Sequence, residues 1–411
     1  MRGYAERNEL YWKRNLAVCV FGSFTTLVSL SMLLPFLPLY VQQLGAKSSD
    51  DIVQWSAIAF GATFLGTAVT APIWGKLADR YGRKPMLIRA AVGMAIVMSL
   101  IGLARNITDL VVLRLIAGLV GGYASASTVM IGTQAPRERA GWALGVLSTG
   151  ALAGSLVGPL VGGFLPGLVG IRGTFFVGGG VIAVAALATI FLVREAFDAQ
   201  SHRSSKARAF SLNHNAINSP YIWTLLITAM MVLLSNMSIE PIITVYLGGL
   251  GVPHEKLAQS AGIIMACSAL GSILAAPRLG ALADRVGSRR VIIGCLVATS
   301  LVLLPQAFVK EWWQLGALRG LMGATLAGLL PSVAKLIRHS VYEGNSGSAL
   351  GYLQSAQFSG QVVGPLLGGA IGIHMGLPHV FFVTSALLVL CAGMNHWSER
   401  CHLRGPSANP L

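Results

Sequence analysis

Residues 75–86 read GKLADRYGRKPM, and residues 280–291 read GALADRVGSRRV. Each is a short, dense block of charge set between two long apolar runs. One such turn reads as a loop between membrane-length helices. Two of them, half a chain apart, read as a helical membrane unit written twice.

The composition supports this reading. The chain has 411 residues, 54% hydrophobic and only 11% charged, whereas soluble domains carry about 25% charged residues. A chain this apolar cannot cover itself with polar surface in water. In lipid every backbone group must be satisfied internally, which leaves helix bundles or closed barrels. Barrel strands would alternate apolar and polar residues. Here the runs are continuous and about 20 residues or longer, the length of a spanning helix. The fold class expected is all-α integral membrane protein, with helices at 16–43, 52–76, 85–104, 109–133, 141–166, 173–194, 219–248, 256–280, 291–309, 313–337, 346–373 and 378–398. The polar, basic stretch 195–218 reads as a linker. It divides an N-terminal six-helix bundle (1–194) from a C-terminal one (219–411).

The net charge of +15 would point to nucleic acid in a soluble protein; in a membrane chain it reads as topology. With the N-terminus inside, cytoplasmic segments hold 23 of the 30 Lys and Arg residues. The outer loops hold five, and Arg114 and Arg319 lie within helices. That asymmetry places both termini in the cytoplasm, as an even helix count requires. The polar start, Met1 to Asn15, leads into a run too long for a signal-peptide core, and it is expected to remain as the first span. Cys19, Cys267, Cys295 and Cys391 fall in apolar runs and Cys401 in the tail, without metal-site spacing.

The two halves repeat at an offset of 205 or 206 residues. Pro35 and Tyr40 match Pro241 and Tyr246. Gly75, Asp79, Arg80 and Gly82 match Gly280, Asp284, Arg285 and Gly287. Arg114 matches Arg319, Gly145 matches Gly351, GPLVGG at 158–163 matches GPLLGG at 364–369, and Phe175 and Phe176 match Phe381 and Phe382. Six helices repeated in one orientation is an architecture of secondary transporters, with the substrate path between the halves.

On these residues the chain resembles the major facilitator superfamily, and within it the twelve-helix drug:proton antiporters. The stretches WKRNLAV (12–18), PFLPLYVQQLG (35–45), GWALGVLSTG (141–150) and AAPRLG (275–280) resemble bacterial MdtG-type multidrug efflux proteins. The loop at 75–84 fits the superfamily signature G-x-L-A-D-R-x-G-R-K. Gly75 and Gly82 allow tight turning. Asp79 at the membrane edge can face the positive end of a neighbouring helix, which the resemblance places near Asn345 and Ser346. Arg80, Arg83 and Lys84 would pair with acids or lipid phosphates. Thr133 and Gln134 stand where relatives carry a further acid.

Arg114 lies in the apolar run LVVLRLIAGLVGG. Such a residue should face the bundle interior and have a partner; the family links an Arg here to proton movement, with Ala117 replacing its usual polar neighbour. Helix five carries Gly150, Gly154, Gly158, Pro159, Gly162 and Gly163. Glycines at four-residue spacing form a smooth packing face, and the proline removes one backbone hydrogen bond. The resemblance identifies this pattern as the antiporter signature.

Proton coupling needs a group that can change charge inside the membrane. Glu240, in NMSIEPIITVY, is the acid lying well inside an apolar run, and the adjacent Pro241 interrupts the helix. A structural carboxylate near the outer interface is the competing reading. Gln354, Gln357 and Gln361 fall within about 60° of one another on helix eleven and make a polar stripe. With Asn236, Met237, Met32 and Phe36 they form a candidate substrate path of adaptable apolar and polar contacts. This suits amphipathic drug-like molecules, exported as a monomer in exchange for protons, with the proton gradient in place of any cofactor and with membrane lipids as surroundings. The alternatives are a sugar or metabolite transporter of the same fold, and a membrane receptor or scaffold. No Walker, zinc or nucleophile-elbow motif appears in the sequence, so enzyme chemistry is not expected.

Overall fold

The computed structural model describes residues 2–136, 138–195, 219–341 and 346–404, with the side chains of 2–10, 79, 346–348 and 399–404 left out of the description. Most of the linker, Asn345 and the end of the tail thus lie outside the described residues. The described residues form helices and no strand.

The spans follow the apolar runs. They begin with α1 (Tyr11–Ser31), α2 (Ser49–Ala78), α3 (Arg83–Ile101) and α4 (Ile107–Gln134). The long segment Ala140–Leu192 is two helices, α5 (140–169) and α6 (171–192), parted by Gly170 at φ 76° and ψ 163°. Then come α7 (Pro220–Gly249), α8 (His254–Val286), α9 (Ser288–Gln306) and α10 (Trp312–Ser340). The last two are α11 (Ser346–Met375) and α12 (Leu377–Ser398). These are the twelve helices expected. One detail differs. The first run is broken, because α1 stops at Ser31 and a separate short helix, Leu37–Gln43, follows a turn around Pro35. Proline lacks the amide that would continue the ladder. The charged turns also repeat: Gly82 and Gly287 both take positive φ, 98° and 94°, a conformation open to glycine and strained for other residues.

The chain divides into two compact units. The first comprises Met1–Arg208 and Gly251–Ala266. Within it the glycine face of α5 lies directly on α1. A Cβ at Gly154 would sit 2.7 Å from the Phe24 carbonyl oxygen, and one at Gly162 would collide with the carbonyl of Met32. The crossing of α2 on α4 is as close. Gly118 abuts the Thr63 carbonyl, while Thr63 Oγ1 donates to the Arg114 carbonyl at 3.0 Å. Tyr40 pins the bundle by donating to the Ile101 carbonyl at 2.6 Å, and its ring stacks on Phe175 at 5.1 Å.

The second unit comprises Ala209–Leu250 and Cys267–Leu411. It repeats these contacts. Gly360 and Gly368 abut the carbonyls of Met230 and Ser238. Gly323 abuts the Ser268 carbonyl, and Ser272 Oγ donates to the Gly323 carbonyl at 2.8 Å. Tyr246 donates to the Gln306 carbonyl at 3.0 Å and packs on Phe381 at 5.3 Å. The sequence repeat is therefore a repeat of specific contacts.

Adding a methyl at Gly162 overpacks the α1–α5 seam. Gly162→Ala should destabilise the protein by about 1–3 kcal/mol and lower its melting temperature in detergent. Gly145→Ala, on the same helix with open space around it, should leave the melting temperature unchanged.

Candidate functional site

The site is built where α7 breaks. Helical bonding continues through Met237, and the chain then tightens into a single 3-10 turn at Glu240–Ile242 before resuming at Ile243. Pro241 causes the break, since it has no amide to donate and its ring crowds the preceding turn. The break holds Glu240 at the point where the helix changes pitch. Asn236, one turn earlier, donates from Nδ2 to Glu240 Oε1 at 2.6 Å. Both side chains keep part of their surface accessible, although they lie in the middle of an apolar span.

Arg319, on α10, lies within electrostatic range of Glu240 in the same unit. Its side chain is fully buried. Nη1 touches Met322 Sδ at 3.2 Å, and Nε and Nη2 have no hydrogen-bond partner. Gln306 closes the cluster: its Nε2 lies 3.8 Å from the same sulfur, its backbone carbonyl receives the Tyr246 hydroxyl, and its Oε1 is buried without a partner. A buried guanidinium with two unused donor nitrogens beside a carboxylate in range but not locked to it is a charge pair able to rearrange.

The equivalent place in the first unit is different. Arg114 is also buried; its Nε donates to the Ala59 carbonyl at 3.3 Å, its guanidinium lies 5.4 Å from the centre of the Phe60 ring, and Nη1 has no partner. At the position matching Glu240, however, stands Leu34. Only the second unit brings a membrane acid to its arginine at this position.

The other candidate residues separate into groups. Asn236 and Met237 lie beside Glu240 on α7. On α11, Gln354 is exposed and Gln357 and Gln361 are half-buried, and Gln361 Oε1 has no partner. Met32 and Phe36 are packed inside the first unit, Met32 on Gly178 and Phe36 edge-on to Phe175 at 5.5 Å. Neither presents surface to a solute in this conformation. Gly150, Gly154, Gly158 and Gly162 all face α1, whereas Pro159 and Gly163 meet the 258–262 stretch of the same unit.

At the charged turn, Gly75 has open space around it and Arg80 lies over Tyr81, 5.3 Å from its ring centre. The Asp79 side chain is outside the described residues, so its expected pairing near Asn345 and Ser346 falls there too. What the turn does show is a carboxylate that sequence reasoning missed. Glu195, just past α6, accepts from the backbone amides of Arg83 at 2.9 Å and Lys84 at 2.7 Å. Gly82 offers no side chain to cap α3, so its first amides need an acceptor from elsewhere, and a carboxylate also meets the positive helix end. The uncapped start of α3, followed by an acid straight after α6, was the available signal. The second turn differs: Asp284 pairs with Lys335, an exposed contact worth little. Gln134 accepts from Asn15 Nδ2 at 2.8 Å. Asn15 in turn exchanges hydrogen bonds with the Arg194 backbone at 2.7 and 3.0 Å.

Among the described residues no cluster of His, Cys, Asp and Glu could hold a metal ion. Comparison with known proteins agrees with a carrier. The sequence matches the Major Facilitator Superfamily over residues 19–262 and 256–398. It is 41% identical over 379 residues to the multidrug resistance protein MdtG of Proteus mirabilis, covering 92% of this chain and 94% of that protein. It is 40% identical to the protein of the same name from Serratia proteamaculans, covering 96% and 95%. Among solved structures, a bacterial homolog of the human lysosomal transporter Spinster superposes with a TM-score of 0.77 at 16% identity, covering 97% of this chain and 99% of that one. The nucleoside transporter NupG gives 0.76 at 14%, covering 94% and 99%. At such low identity these structures speak for the fold alone.

The Glu195 cap makes two charge-assisted hydrogen bonds, each worth about 1.5–3 kcal/mol. Glu195→Ala should raise amide exchange in a peptide spanning 82–86 by more than about tenfold, while a peptide spanning 287–291 exchanges at the wild-type rate.

Proposed function

The chain belongs to the major facilitator superfamily and is a multi-pass membrane transporter rather than an enzyme, and we propose that it exports amphipathic drug-like molecules in exchange for protons by alternating access. The observation that carries this is the Glu240–Arg319 neighbourhood on the broken α7. Relatives named for multidrug resistance across most of the chain supply the direction and the substrate class.

In this reading Glu240 is the proton carrier. Unprotonated, it accepts from Asn236 and balances Arg319. Protonated, it leaves Arg319 buried without its counter-charge. Losing that counter-charge biases the equilibrium between the two states of the carrier. Asn236, Met237, Gln354, Gln357 and Gln361 provide the substrate surface. Apolar walls with a few polar groups are what ligand sites use. Arg114 supplies a fixed charge, and the turn at Gly75–Lys84, with Asp79, latches one end of the bundle. The halves 1–194 and 219–411 move as the two bodies of the carrier. It works as a monomer on the proton gradient alone, in a bacterial inner membrane with both termini cytoplasmic.

The test is transport in proteoliposomes under an imposed pH gradient, with a panel of amphipathic cations alongside sugars and nucleosides. Wild-type protein should accumulate the amphipathic compounds against the proton gradient. Glu240→Gln should lower gradient-driven transport at least about tenfold while insertion and melting temperature stay normal. Transport by Glu240→Gln at the wild-type rate would remove Glu240 from the coupling, and accumulation of only sugars or nucleosides would replace the substrate class.

A further inference from the structure

One departure from the repeat between the halves leaves a space. In the first unit Trp74 and Arg89 fill the groove where α2, α3 and α4 meet. Arg89 stacks 3.6 Å from the centre of the Trp74 ring and donates from Nη2 to the Gly121 carbonyl at 2.9 Å. Trp74 Nε1 donates to the Leu119 carbonyl at 2.7 Å. At the matching positions of the second unit, 205 residues on, stand Leu279, Gly294 and, for Leu119, Ala324. Three large side chains are replaced by smaller ones, and a cavity of about 770 Å³ opens between α8, α9 and α10.

The chemistry of this cavity is uneven along its length. Leu274, Leu282, Val286 and Leu321 form exposed apolar walls. Arg278 and Arg290 line it as well, both exposed. They lie toward the 280–291 turn, and none of the lining residues is acidic. Arg278 is held in place through Nη1, which donates to the Leu274 carbonyl at 2.9 Å. From Gly271 to Leu282 the groove follows three turns of α8, roughly 17 Å at 1.5 Å per residue. That is close to one leaflet, about half of the 30 Å hydrocarbon core.

We infer that this groove is a binding site for an anionic phospholipid, with an acyl chain between α8, α9 and α10 and the phosphate on Arg278 and Arg290. Exposed leucines and a valine on spanning helices set this groove at the surface of the bundle, where lipid would fill it, and lipid tails gain nothing by leaving other tails for leucine. Selectivity must therefore come from the head group, and two arginines in a lining that holds no acid select negative charge. The first unit cannot take a lipid in the same way, because Trp74 and Arg89 already occupy the space. The inference stands on the groove alone and does not depend on Glu240 or on the substrate class. In the orientation proposed above, the lipid belongs to the cytoplasmic leaflet.

Native mass spectrometry of the purified full-length protein tests it, with phosphatidylglycerol and phosphatidylcholine of identical chains. Wild-type protein should retain one phosphatidylglycerol with a preference on the order of tenfold over phosphatidylcholine, and excess inorganic phosphate should not displace it. Refilling the groove with Leu279→Trp, Gly294→Arg and Ala324→Leu should abolish retention of both lipids. Arg278→Gln with Arg290→Gln, both at exposed positions, should keep a bound lipid but lose the preference. Equal retention of the two lipids by wild type, or an unchanged preference in the double arginine variant, would overturn the assignment. So would undiminished binding by a refilled variant that elutes as folded protein, and so would displacement by phosphate. If the refilled variant does not fold, the arginine variant decides alone.

Discussion

Nothing in a bilayer presses one helix against another, because the surrounding tails are as apolar as the side chains that face them. Association must come from contact close enough for backbone to meet backbone, and the rest of this structure depends on that. Gly154 and Gly162 let α5 lie on the carbonyls of α1, and Gly360 and Gly368 do the same for α11 on α7. The crossings at Gly118 and Gly323 have a second effect. Arg114 and Arg319 each stand one turn before the glycine that lets the neighbouring helix in, so the contact that joins the helices also encloses the guanidinium. The buried charge is a consequence of how the bundle is sealed.

Much of this was legible in the sequence because it rests on patterns that one chain displays by itself. Apolar run lengths gave the spans, and paired motifs such as GPLVGG and GPLLGG gave the repeat. Glu240 could be singled out because a carboxyl inside an apolar run is costly to keep there without a use. The groups that were not legible depend on partners distant in sequence. Glu195 serves a helix that begins more than a hundred residues earlier, and Asn15 joins Gln134 to the Arg194 backbone. Pattern alone also could not separate a residue lining a path from one filling a core. Met32 and Phe36 have the composition of a binding surface, and they lie fully buried against Gly178 and Phe175.

The departures from the repeat carry as much information as the repeat. Where the halves agree, the shared residues are helix contacts: Tyr40 with Ile101 and Tyr246 with Gln306, Gly118 with Thr63 and Gly323 with Ser268. At two places where they disagree, the first half is filled by large side chains and the second gives up packing for polarity or space. Leu34 faces Glu240 across the repeat, and Trp74 faces Leu279.

Leu34 stands where the repeat places Glu240, and that difference has an electrical consequence. An arginine without a titrating neighbour is a fixed charge, so the first half carries the same charge in the membrane whatever the proton does. The second half alternates between a neutral pair and a single positive charge if Glu240 carries the proton. A transmembrane voltage acts only on charge that moves through it, at about 2.3 kcal/mol per elementary charge per 100 mV for a full crossing. The protonated form would therefore respond to membrane voltage through Arg319 while the unprotonated form would not, and this one carboxyl would make the carrier sensitive to the electrical as well as the chemical part of the gradient.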